Sequence, residues 1–230
     1  MKYILLFFAL MLSYMVFPQS SDNLSELYKN YREDQFYASV TYNLLNLKPN
    51  DVTQSGFSSG FHLGFIRDMP LNERRNFALG LGLGISANTY NQNIIIESID
   101  DGYKYSIIDE SEINVSKNKF ATYLIEMPFE IRWRTSTPES YNFWRIYTGF
   151  KLGYVVHNFS KFKSNAGDEK LTNIKDINRL HYGLTLSAGY GTWNFHVYYG
   201  LNSIFDSNAK LDGEAIATTS LKLGLMFYML

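Results

Sequence analysis

The chain contains no cysteine, which excludes a disulfide framework, thiolate catalysis, a cysteine-ligated metal and a lipidated N-terminal cysteine. It has no excess of either charge: 21 Lys and Arg against 22 Asp and Glu leave a formal net charge of −1. A nucleic-acid binder would carry a basic stripe, so composition gives no ground for a nucleic-acid partner. Long apolar runs are missing beyond residue 17. No later segment approaches the 18 apolar residues that mark a membrane-crossing helix. Any crossing by the mature chain must therefore be made of strands. Aromatic residues, in contrast, are abundant, with 18 Tyr and 17 Phe among 230 residues. That length favours a single domain.

The start of the chain reads as a targeting segment. Lys2 is followed by an apolar run from Tyr3 to Phe17 and then by the break Pro18-Gln19-Ser20-Ser21. The run is too short for a typical helical span, and the pattern is that of a signal peptide over 1–19, cleaved somewhere from 18 to 21. A short periplasmic segment, 20–34, is expected next. Within it Leu24, Leu27, Tyr28 and Tyr31 form a helical stripe, and Asn23 with Glu26 fits a capping box. This helix is expected to lead into the domain at 35–230 rather than to plug it.

The rest of the chain is organised around 76–90, N-F-A-L-G-L-G-L-G-I-S-A-N-T-Y. Read with period two, Phe77, Leu79, Leu81, Leu83, Ile85 and Ala87 make one face; Ala78, Gly80, Gly82, Gly84, Ser86 and Asn88 make the other. Side chains alternate along a strand, so this is a strand between hydrocarbon and a crowded interior. The same rule recurs at about 35–45, 55–68, 120–134, 143–158, 180–190, 192–202 and 218–230, for eight strands in all. Their connections alternate. Those at 69–75, 135–142 and Gly191 are short, while those at 46–54, 91–119, 159–179 and 203–217 are longer. An even strand count with short turns at one end and long loops at the other predicts an all-β fold. It is an eight-stranded antiparallel up-and-down transmembrane β-barrel of outer-membrane type, with both termini in the periplasm. Within the longest loop, Asp101-Gly102 between apolar runs marks a hairpin. Pro128 cannot donate a ladder hydrogen bond and predicts a bulge or local irregularity.

A soluble lipocalin-like barrel shares the alternation. Against it stand the charges of the fourth and fifth strands, all opposite the apolar face, the aromatic residues near strand ends, and glycines on the polar side. His62, Glu126, Glu130, Arg132, Arg134, Arg145, Lys151, His181, His196 and Lys222 are then expected to point inward. An eight-stranded barrel is only wide enough for its side chains, so these residues are expected to form a packed polar lumen rather than a pore. His157 is assigned to the same inward face. The four histidines lie on four strands without short ligand spacing, so no metal or other cofactor is expected. For an enzyme, His157 with nearby Ser160 is the one faint nucleophile pair. No G-x-S-x-G turn or phosphate-cradling loop supports it, and neither catalysis nor a small-molecule substrate is expected.

Two stretches carry a resemblance. They are G-F-I-R-D-M-P-L-N-E-R-R-N-F-A-L-G-L-G-L-G at 64–84, and E-M-P-F-E-I-R-W-R-T-S-T-P at 126–138 continuing into F-W-R-I-Y-T-G-F-K-L-G at 143–153. Together they resemble the PorT family of Bacteroidota outer-membrane β-barrels, in the branch associated with type IX protein secretion and gliding motility. The resemblance implies a non-enzymatic outer-membrane accessory acting in assembly or as a scaffold. Its partners would be outer-membrane lipid and other secretion-system components. Arg67, Asp68, Arg74, Arg75 and the turn 135–139 would then face the periplasm as candidate partner contacts. A small structural or adhesive surface barrel working through its outer loops is the alternative, and a lipid-modifying enzyme the remote one. The chain ends in Leu230 rather than in the aromatic residue common to outer-membrane barrels.

Overall fold

In a computed structural model, residues 32–108, 114–136, 143–165 and 167–229 are described. The expected signal peptide and the expected helix after it lie outside them, apart from Arg32. Among the described residues thirteen strands occur in chain order: β1 (Gln35–Asn46), β2 (Ser59–Pro70), β3 (Phe77–Asn91), β4 (Ile94–Ile99), β5 (Gly102–Ile107), β6 (Val115–Arg134), β7 (Trp144–Ser164), β8 (Gly167–Thr172), β9 (Leu180–Tyr190), β10 (Trp193–Gly200), β11 (Lys210–Leu211), β12 (Glu214–Ala215) and β13 (Thr219–Met229). The main sheet runs β6-β3-β2-β1-β13-β10-β9-β7-β8 and closes through an additional β6–β7 pairing. Eight antiparallel strands thus make a barrel, and β8 adds to the part of β7 that rises beyond it. Closure removes the free edges that an open sheet would expose.

Which face looks inward follows from burial. Phe61, Leu63, Leu81, Leu83, Ile85, Ile125, Ile131 and Phe195 are exposed, while Arg132, Arg134, Glu126 and His196 are buried. An apolar belt around a polar interior inverts a soluble barrel and suits hydrocarbon outside. At the end where β1 begins and β13 finishes, Trp144 packs on Tyr190 and Trp193 on Phe227, centroids 5.4 and 4.9 Å apart. Such amphipathic rings belong at a membrane interface. Among the described residues no helix is long and apolar enough to cross a membrane.

The glycines of β3 make room for large neighbours inside. A Cβ at Gly84 would lie 2.1 Å from the Tyr37 hydroxyl, and one at Gly80 would lie 2.8 Å from Arg132 Nε. Pro128 points inward over Gly82. The β3–β6 ladder pairs Leu81 with Phe129 and Gly84 with Glu126 and is interrupted between them, where proline has no N–H to give. The expected irregularity is therefore an interruption beside β3. The ladder's bulges lie elsewhere, between β6 and β7.

One of these bulges changes a face. Tyr123 pairs with His157 but Leu124 pairs with Val155, so Val156 is an extra residue. Beyond it the parity of β7 reverses. His157 faces outward and is exposed, whereas Asn158 and Ser160 face in. Its expected inward position is thereby corrected. Strict alternation cannot register an inserted residue.

The expected hairpin at Asp101-Gly102 forms, with β4 and β5 paired from Ile94–Ile107 to Ile99–Gly102. It does not stand free. Val52, Ile94, Ile96, Tyr105, Ile174, Ile177, Ile204, Phe205 and Ile216, from all four long loops, join Tyr90 and Phe120 at the strand tops in one buried apolar cluster. Tyr90 stacks on Phe120 at 4.8 Å, and Phe205 meets Phe120 edge-on at 5.3 Å. Tyr105 donates to Asp176 Oδ2 at 3.1 Å, tying the hairpin to the loop before β9. The long-loop end is thus covered by a folded apolar cap.

Candidate functional site

The structure places all ten residues of the expected polar lumen inside the barrel, in two layers. Near the start of β1 and the finish of β13, Arg134 donates to both Asp68 oxygens at 2.6 and 2.7 Å, and Arg132 donates to Asp68 at 3.1 Å and to Glu130 at 2.9 Å. The Arg132 guanidinium lies over Tyr147 at 4.6 Å, and Arg145 lies over Phe143 at 4.4 Å. Glu33, just before β1, tucks into the same layer: its carbonyl accepts from Arg132 at 3.2 Å. The residues leading into β1 therefore help close this end. In the upper layer Glu126 accepts from Lys151 at 3.3 Å and sits 3.0 Å from His62 Nδ1; His196 Nδ1 meets Ser187 Oγ at 2.7 Å. Lys222 lies over Tyr198 at 4.8 Å. The space between Glu126, Lys151, His181 and Lys222 amounts to about 10 Å³, about enough for one water.

Asp68 departs from its expected place. It is 1% exposed and committed to two arginines, so it cannot present its carboxylate to a periplasmic partner. On a strand its parity, opposite that of Arg67, aims it into the barrel. Arg67 and Arg74 remain exposed; Arg67 pairs with Asp34 at 3.0 Å. Arg75 is half-buried in the β2–β3 turn at φ 53°, and its carbonyl accepts from Arg134 at 3.1 Å. Of the turn 135–139, only Thr135 and Ser136 lie within the described residues.

The His157–Ser160 pair dissolves for the same reason that His157 turns outward. His157 Nδ1 meets Asn173 Oδ1 at 3.0 Å on the outer face, while Ser160 faces inward and donates to the Lys119 carbonyl at 3.5 Å. Two groups on opposite sides of a sheet cannot exchange a proton. Among the described residues no three His, Asp or Glu side chains converge as a metal site.

A patch above the apolar belt includes lysines of 159–179, a stretch that reads as a solvated connection in the sequence but lies largely on strands in the structure. On β6, β7 and β8, Lys119, Lys161 and Lys170 lie directly opposite one another in register. Lys117 pairs with Lys163 in the next row, where Lys163 is taken by Asp168 at 3.0 Å. Below the lysines, Tyr123, His157 and Phe159 cluster with centroids 5.8 to 6.4 Å apart. Partial burial, then Lys117 and Lys161, hold the Lys119 ammonium below the usual lysine range. The cross-strand register of lysines was the available signal, but it needed the bulge and the position of β8.

The chain matches the family described as "Outer membrane protein beta-barrel domain" over residues 17–206. It belongs to that family. Membership places this barrel in the outer membrane. No curated protein sequence matches the chain. Among solved structures it is similar to Ail, the attachment invasion locus protein of Yersinia pestis, at 15% identity and a TM-score of 0.33, covering 86% of this chain and 99% of that one. The same protein in complex with the heparin analogue sucrose octasulfate gives a TM-score of 0.35, with equal identity and coverage. A porin of Rhodopseudomonas blastica, a triple mutant, gives 7% identity and 0.21, covering 86% and 100%. At such scores these are likenesses only, and the architecture rests on the strand order itself.

Proposed function

We propose that this outer-membrane barrel is an accessory of type IX protein secretion and the associated gliding motility, acting in assembly or as a scaffold rather than as a conduit. The observation that carries the reading is where the two strings of the PorT-family resemblance meet. Asp68 of the first string holds Arg132 and Arg134 of the second, about sixty residues on, in one layer at the terminal end. The resemblance therefore follows one three-dimensional unit rather than generic strand alternation. That unit carries Arg67 and Arg74, exposed at the short-turn end. With long loops outward and termini periplasmic, as in barrels of this kind, these arginines face the compartment in which secretion cargo waits. A lumen filled by charged side chains and covered by an apolar cap supports a role beside the path of cargo, not as the path.

An in-frame deletion with a complemented control tests this, with blots of medium and periplasm for a type IX cargo protein. Cargo held in the periplasm and released on complementation is expected. Normal export from an intact envelope would remove the secretion role. A second reading, a surface barrel acting through its loops, is favoured by the folded cap; exchanging the four loops would abolish that role and spare secretion.

A further inference from the structure

We propose that the outer face of β6, β7 and β8 binds phosphate groups of a glycolipid in the surrounding outer leaflet. Lys119, Lys161 and Lys170 face the same way across three neighbouring strands. Like charges directly opposite in a sheet are destabilising, so this row needs a counter-charge. Among the described residues none of the three has an ion-pair partner: Asp168 is taken by Lys163, and Glu169 turns to the other face, beside the Ser98 amide at 3.5 Å. With Lys117, Tyr123, His157 and Phe159 the row borders an open groove of about 580 Å³.

The height of the row identifies the occupant. The outward apolar residues of β6 run from Trp133 through Ile131, Phe129, Met127 and Ile125 to Tyr123. That stretch is about the 9 to 11 residues of a membrane-spanning strand. Lys119 lies one outward position beyond Ala121, two beyond Tyr123, and its ammonium rests 5.9 Å from the Phe159 ring centre. The patch is therefore continuous with the lipid-facing belt and level with headgroups. An aromatic floor against sugar and acyl chain, with ammonium groups above, complements an anionic phosphoglycolipid of that leaflet. The inference rests on the long loops facing outward, not on the secretion role.

The test reconstitutes the full barrel in vesicles of phosphatidylcholine carrying a bisphosphorylated glycolipid or its dephosphorylated form, and counts retained glycolipid by native mass spectrometry. Each cation near an anionic surface adds roughly fivefold in affinity, so Lys119→Gln, Lys161→Gln and Lys170→Gln together are expected to weaken retention about 100-fold. Lys104→Gln with Lys210→Gln, elsewhere on the loops, should leave it unchanged. Heat-modifiable migration in gels verifies that each variant is folded, and removing like charges should not impair folding. Equal retention by the triple variant, equal retention of the dephosphorylated lipid, or displacement by millimolar inorganic phosphate would each overturn the proposal. Because the chain has no cysteine, Lys104→Cys labelled on intact cells separately tests orientation, so failure of that premise is distinguishable from failure of the site.

Discussion

Asp68 holds two arginines at once in a place water scarcely reaches, which makes it the most exacting single position in the lumen. Replacing it by Asn would leave Arg132 and Arg134 with less compensation than they lose in hydration. Removing one partner of such a buried cluster costs about 3–5 kcal/mol. Urea unfolding of D68N in vesicles is expected to show a loss of that size, whereas surface changes such as K104Q should have almost no effect. Gly84 is constrained by space. A Cβ there meets the Tyr37 hydroxyl and the Leu63 carbonyl at 2.1 and 2.6 Å. G84A should therefore lose about 1–3 kcal/mol by overpacking, measured by the same unfolding midpoint. The inward direction of Asp68 could be read from strand parity; that its charge is spent on Arg132 and Arg134 could not, because the three meet only when β2, β3 and β6 are in register.

Among the elements, barrel strands were legible and the cap was not. Period-two alternation marks β1, β2, β3, β9, β10 and β13 because one face must meet lipid and the other a crowded interior. The cap residues Val52, Ile177, Phe205 and Ile216 are scattered through four loops at no regular spacing. Nothing in any one loop announces the others. The Val156 bulge was equally silent, and it decides where His157 and the lysine row point. The cap also carries a pH dependence. Asp176 is raised above the usual carboxylate range, foremost by burial, with the Tyr105 hydrogen bond opposing and Asp206 adding to the rise. A raised carboxyl binds its proton more tightly when folded, so cap stability is highest below pH about 4 and falls as pH rises through the raised value. D176N keeps an acceptor for Tyr105 and removes the charge. Protection of the Ile94 and Ile96 amides, taken as the exchange rate relative to that of an unstructured amide at the same pH, should then exceed wild type at pH 7 and lose its dependence between pH 4 and 7. Unchanged exchange in D176N would show that Asp176 does not set the cap's stability.

At the scale of the whole molecule, the barrel is closed twice. Arg132, Arg134, Arg145 and Glu33 fill the terminal end, and the loop cluster covers the other. In planar bilayers the full chain is expected to give no steady single-channel conductance. Excising the hairpin 94–107 should not open it, because Lys151, His196 and Lys222 still occupy the lumen beneath. Steady conductance after that excision would mean that the cap alone is the seal.

The proposed role turns on the short-turn end, and it is tested most directly by complementing a deletion strain with the Arg67→Gln, Arg74→Gln and Arg75→Gln triple variant. The split of a type IX cargo between periplasm and medium would be measured at matched barrel abundance in the outer membrane. Cargo trapped in the periplasm, with the barrel folded and wild-type complementation complete, is the predicted result. Full export by the triple variant would contradict a docking role for that end, and full export by the uncomplemented deletion would contradict the secretion role itself.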